Sequence, residues 1–158
     1  MKAKDISCAL GKHSKLFGPK QNLFVIENIS WGLFSWGECD YWVCSKSMFL
    51  TDIEIKISIS DLKADFSKLK WVEDSFKKTI KYHYYAIPEK MLEKAELIIN
   101  ESRPNSGIIV LRENEHGHDD LRVILHKRAG VNKLATPIQE KHVINLARLA
   151  MFRYWRNI

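Results

Sequence analysis

The chain has 158 residues, with 46% hydrophobic and 28% charged side chains. That composition suits one folded core and excludes a mainly disordered chain, a collagen-like repeat or a coiled-coil rod. No apolar run approaches the ~18–20 residues that span a bilayer, and the N-terminus lacks the apolar core of a signal peptide, so the expectation is a cytoplasmic protein without a membrane partner. The net charge is +6, and its location says more than its size. Leu121 to Ile158 hold eight Lys/Arg against Glu140 alone, leaving residues 1–120 close to neutral. A basic C-terminal quarter suits a phosphate-bearing partner, and equally a solvated basic helix.

Residues from Asp5 to about Leu16 predict a short helix weakened by Gly11. The run NLFVIENIS from Asn22 reads as a strand, followed by the Trp/Gly loop WGLFSWG. CDYWVCS and MFLTDIEIKI then predict a hairpin. In its second strand Ile53, Ile55 and Ile57 alternate with Asp52, Glu54 and Lys56, which predicts isoleucines in the core and charges on the other face. Ser58 is a predicted N-cap with Asp61 completing a capping box and Ile57 and Leu62 a hydrophobic staple. The helix it opens carries Leu62, Phe66 and Leu69 on its apolar stripe and leaves Lys63, Asp65, Lys68 and Lys70 outside.

KYHYYAIP reads as a strand, EKMLEKAELIIN as a helix and NESRPNSG as a loop. GIIVLRE and LRVILHK predict two strands joined by the turn NEHGHDD. Thr136, Pro137 and Gln139 mark the start of a last helix, about 137–156. The expectation is a single α/β (α+β) domain over residues 1–158, with a mixed central sheet flanked by helices. Cys8, Cys39 and Cys44 form no CxxC pair and are expected reduced and buried.

The constellation that carries chemistry is Asp40, Glu54 and Lys56. If the hairpin loop has an odd number of residues, for example three, Asp40 lies opposite Glu54 on one face, and paired carboxylates repel unless a cation lies between them. Oxygen-only ligation points to Mg²⁺ or Mn²⁺, with Lys56 beside it to orient water and offset charge on a phosphate oxygen. The competing reading is a solvated charged strand face. Glu38 shares the face of Asp40, as an extra ligand or as an acid facing water.

The string DYWVCSKSMFLTDIEIKISISDLKADF, with YYAIPEKMLEKA and GIIVL, resembles the PD-(D/E)xK nuclease superfamily, particularly its small MmcB-like, phage-associated branch. The likeness covers roughly residues 24 to 128. It implies a restriction-endonuclease-like fold, Asp40 and Glu54 as metal ligands, the backbone carbonyl of Ile55 as a further ligand and Lys56 as the catalytic lysine. It also implies work in DNA repair or in phage or mobile-element DNA processing. Cys39 stands where the name motif has proline. Many members use an acid from the first helix, for which Asp5 and Glu27 are the candidates here; Asp61 and Asp65 match the family string without a settled role.

The expected activity is a metal-dependent nucleic-acid hydrolase acting on DNA, or RNA, with Lys127, Arg128, Lys133, Arg148, Arg153 and Arg156 on the phosphate-binding surface. The alternative is a non-catalytic nucleic-acid-binding or adaptor protein on the same fold. A homodimer through Val143, Leu146, Ala150 and Tyr154 is a further expectation. His116, His118, Asp119 and Asp120 read as a polar turn, Trp31 and Trp36 as a core roof or base platform, and His83 as a packed or edge residue.

Overall fold

The computed structural model describes residues 1–13, 16, 20–29, 38–114 and 121–156, and the side chains of all these but 29 and 153–156. Helix α1 (Ala3–Lys12) precedes the strands β1 (Asn22–Ile29), β2 (Cys39–Ser45) and β3 (Leu50–Ile55). Helix α2 (Ile59–Asp65), a 3-10 turn at Leu69–Trp71 and helix α3 (Asp74–Thr79) then lead into β4 (Ile80–Pro88). A second 3-10 turn (Glu89–Met91) and α4 (Leu92–Ser102) lead to β5 (Gly107–Arg112), β6 (Arg122–Lys127) and α5 (Glu140–Arg156). The strands form one six-stranded sheet in the order β1-β2-β3-β4-β5-β6. β1, β2 and β3 run antiparallel, β3, β4 and β5 parallel, and β6 antiparallel to β5. This mixed sheet with five flanking helices is consistent with the expected restriction-endonuclease-like α+β class.

Antiparallel neighbours need only a hairpin, whereas each parallel step needs a crossover, and here both crossovers carry helices. The β2–β3 loop is Lys46–Met48, closed by Ser45 N–H donating to the Phe49 carbonyl (2.9 Å). Met48 sits at φ 61° in its last position, the left-handed residue that a three-residue hairpin requires. The register follows: Tyr41 pairs with Ile53, Trp42 with Asp52, Val43 with Thr51 and Cys44 with Leu50.

One face of the sheet is covered by α1, whose Ile6, Ala9 and Leu10 pack on Tyr41, Val43, Ile53, Ile55, Ala86, Ile109 and Leu111. The other carries both crossovers and α5. There an apolar cluster around Trp42, Leu50, Phe76 and Leu146 and another around Leu62, Tyr85, Ile99 and Val110 fill the two sides. Charged side chains occupy the middle.

Several expectations change. Ser58 caps α2 as expected, its Oγ accepting from Asp61 N–H (3.1 Å), but Ile57 is 42% exposed and neither joins the core nor staples the helix. The helix ends at Asp65, and the 3-10 turn rotates the following residues. Leu69 is therefore 69% exposed, while Asp65 and Lys70, expected outside, are fully buried. The last helix starts at Glu140 instead of 137. Thr136 Oγ donates to the Lys78 carbonyl instead of capping, and Ile138 N–H is tied to the Met48 carbonyl (2.8 Å). Cys39 and Cys44 are buried and unbridged, but Cys8 is exposed. Short α3 has no counterpart in the sequence reading.

Candidate metal and phosphodiester site

On β3 the side chains of Leu50, Asp52, Glu54 and Lys56 share the crossover face. Parallel pairing with β4 sets His83 beside Asp52 and Tyr85 beside Glu54. The crossover lays α2 and its 3-10 turn over this strip, bringing Asp65, Lys68 and Lys70 down onto it. Asp52, Glu54 and Asp65 are all 0% exposed and Lys56 3%, so the competing reading of a solvated face does not hold.

Glu54 is clasped by three ammonium groups: Lys70 at 2.5 Å on Oε1, and Lys56 at 2.6 Å and Lys68 at 3.2 Å on Oε2. Lys70 also reaches Asp52 (3.3 Å), and Asp65 lies 2.9 Å from Lys68 and 3.3 Å from Lys56. Asp52 takes Trp42 Nε1–H at 2.9 Å, while Asp65 takes the Tyr85 hydroxyl at 2.9 Å on its carboxylate and Trp71 Nε1–H at 2.8 Å on its carbonyl. These neutral donors fix the carboxylates that the lysines neutralise.

Burial pushes Asp52 up to about 6 against the pull of Lys70, with Glu54 adding repulsion. Burial acts on Glu54 in the same sense, but Lys70, Lys56 and Lys68 outweigh it and hold that carboxyl well below its usual range. The three lysines are correspondingly held above theirs, burial being outweighed by Asp52 and Glu54 for Lys70 and chiefly by Glu54 for Lys56 and Lys68. Burial and the nearby Lys70 ammonium keep His83 neutral.

At the open end of the strip stands Asp40, 32% exposed, with Lys68 (42%) across from it. The paired ladder stops at Tyr41–Ile53. Beyond it Asp40 Oδ2 accepts the Ile55 N–H at 2.8 Å, a donor that a β2 backbone carbonyl would take in a continued ladder. The N–H and carbonyl of a strand residue point to the same side. The Ile55 carbonyl therefore turns toward β2 and Asp40. Lys56 Nζ lies 3.7 Å from Asp40 Oδ2 and 2.6 Å from Glu54, so one ammonium spans both expected ligands. Burial and the Glu54 charge raise Asp40, with Lys56 opposing them.

The structure thus brings Asp40, Glu54, Ile55 and Lys56 together. A second set was missed: Cys39, Asp52 and Glu54 each bring one ligand atom to within 4.8 Å of the others, a buried group that can hold a metal ion. Lys70 already bridges its two carboxylates, so a cation there competes with that ammonium. Asp65, Lys68, Lys70 and His83 also belong to the site. The family string flagged Asp65, and the alternation of KYHYYAIP aims His83 and Tyr85 at one face.

Other candidates lie elsewhere. Glu38 is exposed just before β2, and Glu27 is exposed on β1. Asp5 caps α1, accepting Lys2 N–H at 2.6 Å, on the helix that covers the opposite face. Lys127 is spent on Asn100 (2.7 Å) and the Pro104 carbonyl (2.8 Å) at the β6 edge, three strands from β3, and Arg128 follows it. Lys133 is exposed in the loop after β6 and Arg148 on α5, and neither forms an ion pair with the site's carboxylates among the described residues. The side chains of Arg153, Tyr154 and Arg156, the Trp31–Trp36 loop and the 115–120 turn with its histidines lie outside the described residues. The expected dimer face is corrected as well. Leu146 is 0% exposed, and it packs with Val143 and Ala150 against the sheet, where the apolar stripe of an amphipathic helix belongs.

No family model and no curated protein matches the chain. Among solved structures, the SPO1766 protein of unknown function from Silicibacter pomeroyi superposes with a TM-score of 0.60 at 14% identity, covering 99% of this chain and 88% of that one. At that identity the likeness concerns the fold alone. No helix among the described residues is long and apolar enough to cross a membrane.

Proposed function

We propose that the chain is a metal-dependent phosphodiester hydrolase of the PD-(D/E)xK type acting on nucleic acid, DNA in the first instance. The observation that carries this reading is Lys56 Nζ standing 2.6 Å from Glu54 and 3.7 Å from Asp40 at the end of the β2–β3 hairpin. Asp40, Glu54 and the Ile55 carbonyl are oxygen donors suited to Mg²⁺ or Mn²⁺. Four carboxylates, Asp40, Asp52, Glu54 and Asp65, face the three ammonium groups of Lys56, Lys68 and Lys70, and the excess of acids favours a cation. Asp40 Oδ1 has no hydrogen-bond partner among the described residues, which leaves it for a ligand.

Such an ion would polarise the phosphate and lower the pKa of a bound water. Lys56 holds Glu54 ionised and aligned, and beside an ion held by Asp40 and Glu54 its ammonium would orient the attacking water. Lys68, the exposed ammonium at the mouth, meets the incoming phosphate first. Asp65 retains both lysines, and Tyr85 anchors Asp65.

Cleavage of labelled single- and double-stranded DNA and RNA with Mg²⁺ or Mn²⁺ tests this. The wild type should cut at least one form, and Asp40→Asn, a change at the half-exposed rim, should lower the rate by about a hundredfold while the fold stays intact. Lys56→Ala should do the same. The closed state of Glu54, 0% exposed and held by three lysines, favours a second reading, a non-catalytic nucleic-acid-binding protein in which the charges are structural. That reading gives no cleavage of any form, with salt-sensitive binding weakened by Arg148→Ala.

A further inference from the structure

A cavity of about 480 Å³ opens on the crossover face beyond the carboxylates, at the start of β4. Its rim is built. Asn132 donates its side-chain amide to the Lys77 and Ile80 carbonyls (2.6 and 2.8 Å) and its N–H to the Lys81 carbonyl (2.9 Å). Gly130 N–H donates to the Asn105 carbonyl (2.8 Å), which ties the loop after β6 to the loop before β5. The volume suits one molecule of nucleotide size.

The lining holds four cations, Lys77, Lys81, Arg103 and Lys133, and no carboxylate. Arg103 stacks its guanidinium 4.1 Å over Trp71 and donates one terminal N–H to the Phe66 carbonyl (3.0 Å), which fixes the guanidinium at the cavity wall. Lys133 has no ion-pair partner among the described residues, and Lys77 has only a loose pair with exposed Asp74 at 3.8 Å. Phe76, Ile80, Val131 and Leu134 give the cavity an apolar wall beside these charges, and Ser106, bonded to His83 at 2.9 Å, adds a hydroxyl.

We infer that this cavity binds a phosphate monoester of mononucleotide size, its phosphate held by Arg103, Lys77 and Lys133 and its base laid against the apolar wall, while the Lys81 ammonium rests over the Phe49 ring. The inference does not rest on the hydrolase reading: none of Asp40, Glu54 and Lys56 lines the cavity, and His83 is the residue it shares with that site. Isothermal titration in EDTA with 5′-AMP, adenosine and inorganic phosphate tests it. AMP should bind, adenosine should bind more weakly by about tenfold or more, and phosphate should compete. A Lys77→Glu/Lys133→Glu variant, altered only at exposed positions, should lose about tenfold or more in AMP affinity, as should Arg103→Met, which keeps the stem over Trp71. Asp40→Asn should bind AMP as the wild type does. No AMP binding, equal binding of adenosine, affinity unmoved by the charge reversal, or affinity lost in Asp40→Asn would each overturn the assignment.

Discussion

Strand β3 contributes equally to two buried layers of opposite chemistry. Ile53 is 0% and Ile55 8% exposed under α1, while Asp52 and Glu54, between and beside them, are 0% exposed under the crossover. The α1 face is held by apolar burial, non-directional and proportional to area. The crossover face is held in its middle by ion pairs that stabilise only while every member has its partner. In a sheet covered on both sides, alternation therefore records what each face packs against and not which face meets water.

The sharpest way to break the comparison is to remove one charge from the strip. Lys70 is 1% exposed and bridges Glu54 and Asp52, so Lys70→Met should destabilise the fold by about 3–5 kcal/mol in urea denaturation, even though methionine fills much of the same volume. A loss near that of a conservative apolar change on the α1 face would show that the two layers are energetically alike.

Metal-free pH titration separates the layers next, with effects of about 1–3 kcal/mol over the window. Asp52, raised from 3.8 to about 6, binds a proton in the folded chain that the unfolded chain has shed, so its contribution is present at low pH and lost as pH rises through 6. His83, held below its ordinary 6.5, works in the opposite sense. The unfolded chain takes up its proton as pH falls below 6.5 and the folded chain does not, so stability falls with pH. In the wild type the two slopes oppose each other. Asp52→Asn should leave a steeper loss of stability as pH drops below 6.5, and His83→Gln a loss as pH rises through 6, both read from thermal midpoints. Unchanged slopes in both variants would remove the buried charges from the pH response.

The hairpin and its register were legible because a short loop leaves few alternatives, and Asp40, Glu54 and Lys56 follow from that register. The helix start at Ser58 was legible because a cap is a local hydrogen bond. Lys70 and Asp65 were not: helical spacing through Leu69 looked continuous, and nothing local announces that the helix stops and a 3-10 turn rotates the next residues inward. The place of His83 beside Asp52 depends on how far a 24-residue crossover carries the chain before β4 begins, information that no window around His83 contains. The cationic cavity draws on four separated segments and has no sequence signature.

On the α1 face, Ile53→Val removes one methylene from a fully buried site and should cost about 0.5–1.5 kcal/mol, with no change in either pH slope. The smallest effect belongs to the exposed pair Arg112–Glu89, in which Nε donates to the carboxylate at 2.8 Å while the two side chains remain 47% and 42% exposed. Water screens both charges and the unfolded chain solvates each at little cost, so Glu89→Gln should change stability by no more than about 1 kcal/mol, and by less in high salt. A value near that of Lys70→Met would mean that a charge's contribution here does not depend on its removal from water, and the contrast between the buried strip and the rest of the molecule would fail at its physical cause.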